Sequence, residues 1–187
     1  MTTHWKRTFA GGLALIALPL VAQQREIVTD PDAYALYSLL VPPYWNRRME
    51  GRGPIVLQRE TERPARWACG DLKAPNEEWQ SAVTHFNQQN AYVQVLQQHL
   101  TTEAPYRLMP RAEIEADDAR LAVKYPGGYQ RRPESMDYAA VSAVGFDAEK
   151  SKAILYVRLR DQGDIYFMEK RDGKWVRASV PSCGWIA

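Results

Sequence analysis

The sequence predicts an α+β fold: a C-terminal antiparallel four-strand meander packed against N-terminal helices, as one domain at residues 23–187 behind a leader at residues 1–22. Three observations predict it. Apolar residues in the first half recur at helical spacing behind capping residues. The last third breaks into short β-rich runs separated by Gly-containing turns. About 165 residues remain after the leader, a length that suits one domain with one core.

The leader reads as an export signal. Lys6 and Arg7 give a positive start, residues 11–21 form an uncharged, mostly apolar run, and Ala22 offers a small residue for cleavage ahead of Gln23. The alternative, an uncleaved membrane anchor, is disfavoured because the run is too short to span a bilayer. No cysteine follows it, so no lipid anchor is expected. Lys6-Arg7-Thr8-Phe9 matches a twin-arginine signal only loosely, which leaves the general export route. The expected location is periplasmic or secreted.

Charge narrows the partners. The whole chain has 24 Lys and Arg against 22 Asp and Glu; without Lys6 and Arg7 the mature chain has 22 of each. A neutral chain lacks the basic field that drives non-specific nucleic-acid binding. No other segment is long and apolar enough for a membrane, so no membrane contact is expected after cleavage. The two cysteines, Cys69 and Cys183, both lie beyond the leader. In an oxidising compartment an even pair is most simply a disulfide. The chain-entropy model gives such a long loop up to roughly 4–5 kcal/mol. Two buried free thiols or a reactive nucleophile are the alternatives. A nucleophile wants a histidine partner, and only His85 and His99 remain in the mature chain.

The elements follow in order. Asp30-Pro31 is a helix start, an acceptor at the cap and a ring that fixes the first φ. Tyr34, Tyr37, Leu40 and Val41 then share a face until Pro42-Pro43 ends the helix. Ile55-Val56-Leu57 is a short strand. A second helix begins at Asn76, with Glu77 and Glu78 in the first turn, where the dipole favours them. Trp79, Ala82, Val83 and Phe86 form its buried stripe and Asn90 its stop. Residues 91–100 read as a short helix, and residues 117–125 as another, closed by Pro126-Gly127-Gly128.

The meander comprises strands at residues 137–146, 153–160, 164–170 and 175–180. Asp172-Gly173 suits a two-residue type I′ turn, pairing Lys170 with Trp175, Met168 with Arg177 and Phe167 with Ala178. Asp161-Gln162-Gly163 suits a three-residue loop, pairing Leu159 with Ile165 and Val157 with Phe167. These turns put Leu155, Val157, Leu159, Ile165, Phe167, Val176, Ala178 and Val180 on a core face. Tyr156, Arg158, Arg160, Tyr166, Met168, Lys170, Trp175 and Arg177 fall on the other.

Five stretches of this region form a pattern: Lys124-Tyr125-Pro126-Gly127-Gly128, Val141-Ser142-Ala143-Val144-Gly145-Phe146-Asp147, Ala153-Ile154-Leu155-Tyr156-Val157, Lys170-Arg171-Asp172-Gly173-Lys174-Trp175 and Trp185-Ile186. It resembles a family of secreted bacterial proteins that keep "YPGS…SxVGF…ALVYV…KxxGxW…WIS" near the C-terminus. The resemblance covers mainly residues 121–187, with a looser echo in the helix from Trp79 to Asn90. It brings no activity, cofactor or catalytic residue with it. Family members often carry a Cys- or Gly-rich turn between the second and third strands. Here that turn is Asp161-Gln162-Gly163, without cysteine, and Cys183 precedes Trp185 instead.

Chemistry leaves few local signs. His85 and His99 have no acidic companion at ligand spacing, and Glu113, Glu115, Asp117 and Asp118 lack the glycine and terminal glutamate of a calcium loop, so no metal is expected. No phosphate loop or nucleophile elbow is present, and no cofactor is expected. The candidate binding surface is the non-core face of the meander: Tyr156, Arg158, Arg160, Tyr166, Lys170, Trp175 and Arg177. Residues 150–187 hold eight Lys or Arg against four Asp or Glu. Aromatic rings beside fixed cations can grip a glycan or an anionic partner. Cross-strand pairing on a solvated sheet, or a helix packed there, would need no ligand. The leading expectation is a non-catalytic exported domain that binds a ligand or protein partner. An envelope hydrolase acting through carboxylates is the alternative, and a structural or assembly role is a third.

Overall fold

In the computed structural model, which describes residues 26–49, 54–64, 72–125, 137–159 and 162–186, Asp30 opens α1 (Pro31–Met49). Its Oδ1 accepts the Asp32 N–H at 3.0 Å, the bond a helix cap makes. The helix does not stop at Pro42-Pro43 but runs through them. A proline inside a helix costs about 3 kcal/mol through its missing N–H and its ring clash. Beyond the pair, Tyr44 and Trp45 are each 3% exposed, and burying two aromatic side chains offsets a cost of that size.

The strands, in chain order, are β1 (Glu26–Ile27), β2 (Ile55–Gln58), β3 (Gln94–Val95), β4 (Tyr106–Met109), β5 (Ala139–Val141), β6 (Gly145–Phe146), β7 (Lys152–Leu159), β8 (Gln162–Arg171), β9 (Lys174–Arg177) and β10 (Gly184–Ile186). Between them lie α2 (Gln80–Gln89), entered through one tight turn at Glu77–Trp79, and α3 (Arg111–Lys124). The main sheet runs β10-β8-β7-β5-β2-β4, with β6 beside β7 and β9 beside β8. Within this sheet, among the described residues, β2 pairs in parallel with β4 and β5 and the other pairings are antiparallel. The architecture is α+β, as predicted. A short helix was expected at residues 91–100; β3 is there instead, pairing with β1. The helix expected from residue 117 begins at Arg111, whose N–H bonds Glu60 Oε2 at 2.7 Å. A carboxylate at a helix start satisfies a donor the helix itself leaves open. Pro126-Gly127-Gly128 lies outside the described residues.

The β8–β9 hairpin forms as predicted. Lys170 faces Trp175, Met168 faces Arg177, and the Ala178 N–H bonds the Phe167 carbonyl at 2.8 Å. Asp172 and Gly173 take φ of 49° and 74°, as a type I′ turn requires. The β7–β8 pairing differs. Leu159 faces Gln162 rather than Ile165, and Val157 faces Asp164 rather than Phe167. The displacement, from 165 to 162, is an odd number of positions, so β7 turns over relative to β8. Gly163 shows why. It lies within the strand, where a Cβ would sit 2.3 Å from Tyr156 Oη; the glycine makes room for the tyrosine.

Leu155, Val157 and Leu159 therefore join Tyr166 and Met168 in one core, beneath Leu36, Tyr37 and Val41 of α1. Ile154 and Tyr156 join Ile165, Phe167 and Ala178 in a second, beneath Trp79, Ala82, Val83 and Phe86. Successive residues of a strand point to opposite faces, so the two cores lie on the two sides of the same strands. Ala153 through Val157 are all buried, as befits a strand covered on both faces.

The strand expected at residues 137–146 is split into β5 and β6 at Ser142. The Ser142 N–H bonds the Tyr156 carbonyl at 2.9 Å, but the Tyr156 N–H goes to Ser142 Oγ at 2.8 Å. The Ser142 carbonyl then accepts the buried Tyr37 hydroxyl at 2.8 Å, tying α1 to the sheet. Asn90, at the end of α2, accepts the Ala143 N–H and donates to the Ala143 and Phe86 carbonyls. Helix and strand touch so closely that a Cβ on Gly145 would lie 2.4 Å from the Phe86 backbone.

Candidate functional site

The residues expected to share one open sheet face do not share it. Tyr156 is 1% and Tyr166 5% exposed, and they belong to opposite cores. The odd register shift is the cause, and the helix on each side closes both faces. The Arg158 side chain is mostly buried: its Nε donates to Glu62 Oε1 at 2.7 Å, and its guanidinium sits 5.0 Å from the Tyr138 ring centroid. Burial alone would lower the Arg158 pKa; the Glu62 carboxylate outweighs it and holds the guanidinium charged above its ordinary value. Lys170 and Trp175 both bond Asp32 Oδ1, at 3.0 and 3.2 Å. Arg177 lies 5.0 Å from the Tyr166 ring centroid and donates to Ser182 Oγ at 2.9 Å. The structure thus brings Lys170, Trp175, Tyr166 and Arg177 together on the α1 side, with Lys170 paired to Asp32 and Arg177 set against the Tyr166 ring. Arg160 lies outside the described residues, as do Ala22, Gln23 and Cys69. Cys183, half-buried before β10, carries no free thiol.

The motif residues behind the family resemblance have structural work. Ser142 and Gly145 seat α1 and α2, and Lys170 and Trp175 hold the start of α1. Asp147 binds the Ser151 and Lys152 N–H groups at 2.7 and 2.8 Å and closes the turn before β7. His85 sits on the same seam: its Nδ1 accepts the Phe146 N–H at 2.9 Å.

A different feature of the surface has the shape of a site. A groove of about 420 Å³ runs between the outer side of α1 and residues 97–101, lined by Thr29, Pro31, Tyr34, Ala35, Ser38, His99 and Thr101. That volume is within the range of small-molecule sites. Its walls are pinned together. The Tyr34 hydroxyl donates to the Val28 carbonyl at 3.1 Å and accepts the Gln97 N–H at 2.7 Å. Ser38 Oγ accepts the Thr101 N–H at 2.9 Å. The His99 ring stands edge-on to Tyr34 with centroids 5.2 Å apart. Burial pushes the Tyr34 hydroxyl pKa up, so it stays neutral. None of the seven lining residues is an Asp, Glu, Lys or Arg. Asp30, next to the groove in sequence, has one oxygen on the Asp32 N–H and the other on Lys150 Nζ at 2.7 Å.

The sequence reading missed this groove. Tyr34 was expected in the core, where it is, and His99 on a helix, which it is not. The two walls are 63 positions apart in the chain, and no local spacing announces such a meeting. Among the described residues no cluster of His, Cys, Asp or Glu could hold a metal ion, and no helix is long and apolar enough to cross a membrane. Comparison with protein-family models, with curated proteins and with solved structures finds no match to this chain.

Proposed function

We propose that this chain is an exported domain of the cell envelope or exterior that binds a ligand without transforming it, and that the groove beside α1 is where it binds. The groove carries the reading. It is preformed, because backbone and side-chain hydrogen bonds fix both walls, and its lining pairs an apolar floor with a few hydroxyl groups and an imidazole. It offers no carboxylate for acid–base work, which favours binding over the hydrolase alternative. The leader at residues 1–22 supports export, and Cys69 and Cys183 are proposed to form a disulfide once there.

Two measurements test this. The intact mass of the protein recovered from an exporting host should begin at Gln23, with alkylation only after reduction. A mass that keeps Met1 with both thiols free removes the exported location. For the groove, thermal shift against a small-molecule library should find stabilising compounds whose effect vanishes in Ala35→Trp, which fills the groove from an exposed helix position. Stabilisation that persists in the variant places binding elsewhere.

A further inference from the structure

We infer that the ligand of the groove is an uncharged saccharide; the inference rests on the groove being a binding site. Charge comes first. No lining side chain is ionic. The start of a helix is ordinarily a ready anion site, but here most of its first N–H groups are missing or taken. Pro31 has no N–H, the Asp32 N–H is already held by the Asp30 carboxylate, and the Tyr34 N–H bonds the Asp30 carbonyl at 3.3 Å. A carboxylate, phosphate or sulfate would therefore lose its hydration with only hydroxyl groups, and no cation, to meet it.

Hydrogen bonding comes second. Ser38 Oγ accepts the Thr101 N–H, which leaves its own hydrogen to donate. The hydroxyls of Thr29 and Thr101 can both donate and accept. His99 Nε2 lies 3.0 Å from Gln97 Oε1; in the tautomer that donates to that oxygen, Nδ1 is left as an acceptor. Such two-way groups are what a ring of hydroxyls needs, since each sugar hydroxyl both gives and takes. Pro31 and Ala35 add small aliphatic surface for the C–H face of the ring. An extended peptide fits less well. It is gripped by a free strand edge, whereas one wall here is α1, whose backbone is bonded within the helix.

The test is an amide NMR titration of the exported protein with three probes: methyl β-glucopyranoside, methyl β-glucuronide and indole. The expected result is movement of the Ala35, Ser38 and Thr101 signals by the glucoside, at least tenfold weaker binding of the glucuronide, and no glucoside response in Ala35→Trp. If indole moves these signals and the glucoside does not, the groove is a binding site and the saccharide is wrong. Equal or tighter binding of the glucuronide overturns the uncharged ligand. If no probe moves them, the groove reading falls and the inference with it.

Discussion

The Lys170 ammonium lies 4.8 Å from the centroid of the Trp175 ring across the β8–β9 hairpin, and both side chains donate to one oxygen of Asp32 on α1. A helix start and a hairpin are thereby locked by a single carboxylate. Burial pushes the Asp32 pKa up, but the bonds from Lys170 and Trp175 and the Lys170 charge prevail and hold it below the usual carboxylate value.

That depression fixes the sign of a pH effect. In the unfolded chain an aspartate titrates near 3.9, so folded Asp32 binds fewer protons than unfolded Asp32 around that pH. Its contribution is complete well above pH 4 and is lost as pH falls through the folded value. Asp32→Asn should therefore be less stable than the parent at pH 7, by roughly 1–2 kcal/mol for a partly exposed charged bond. The gap should narrow by pH 3. Urea midpoints at the two pH values measure it, and a gap that is unchanged contradicts the assignment.

Arg158 and Lys150 make a controlled contrast. Arg158 is mostly buried and forks onto Glu62, while Lys150 pairs with Asp30 at the surface. Arg158→Met leaves the Glu62 carboxylate without its cation and should cost roughly 2–4 kcal/mol. Lys150→Met should cost less than about 1 kcal/mol. Equal losses in chemical denaturation would show that the depth of the first pair counts for nothing.

Gly145→Ala should destabilise by roughly 1–3 kcal/mol. The added methyl meets the Phe86 backbone at 2.4 Å, so truncating the Phe86 side chain cannot relieve it. Failure of Phe86→Leu to restore any stability to Gly145→Ala is the expected result of a double-mutant cycle.

Asn90→Ala takes the acceptor from the N–H of buried Ala143 and one of two donors from its carbonyl, which keeps the Ser142 hydroxyl. A loss of roughly 2–4 kcal/mol is expected. Asn90→Asp keeps the acceptor but turns a negative oxygen toward two carbonyls, and should not rescue it. Hydrogen exchange at the Ala143 amide should accelerate in both variants.

Local chemistry made much of this fold readable. Asp30 as a cap, Asp172-Gly173 as a turn, and the Trp79, Ala82, Val83 and Phe86 stripe each depend on neighbours a few positions away. The β7–β8 register was not readable from the turn, because Gly163 makes room for the Tyr156 ring of β7 instead of serving a turn conformation. The unbroken apolar run from Ala153 to Val157 did hold a clue, since a strand buried on one face alternates. The groove left no such trace: Tyr34 reads as core, and only its meeting with Gln97 reveals a wall.

The partners of α1 have a consequence for how the molecule is made. Tyr37 waits for Ser142, 105 positions downstream, and Asp32 waits for Lys170 and Trp175, 138 and 143 positions downstream. At ordinary rates of synthesis that delay is roughly 5–30 s, during which the first helix has an apolar flank and lacks these partners. The first helix of the domain is thus among the last elements to be seated. Cutting the chain ahead of β8 removes Lys170 and Trp175 together and leaves Asp32, at the start of the first helix, without either partner.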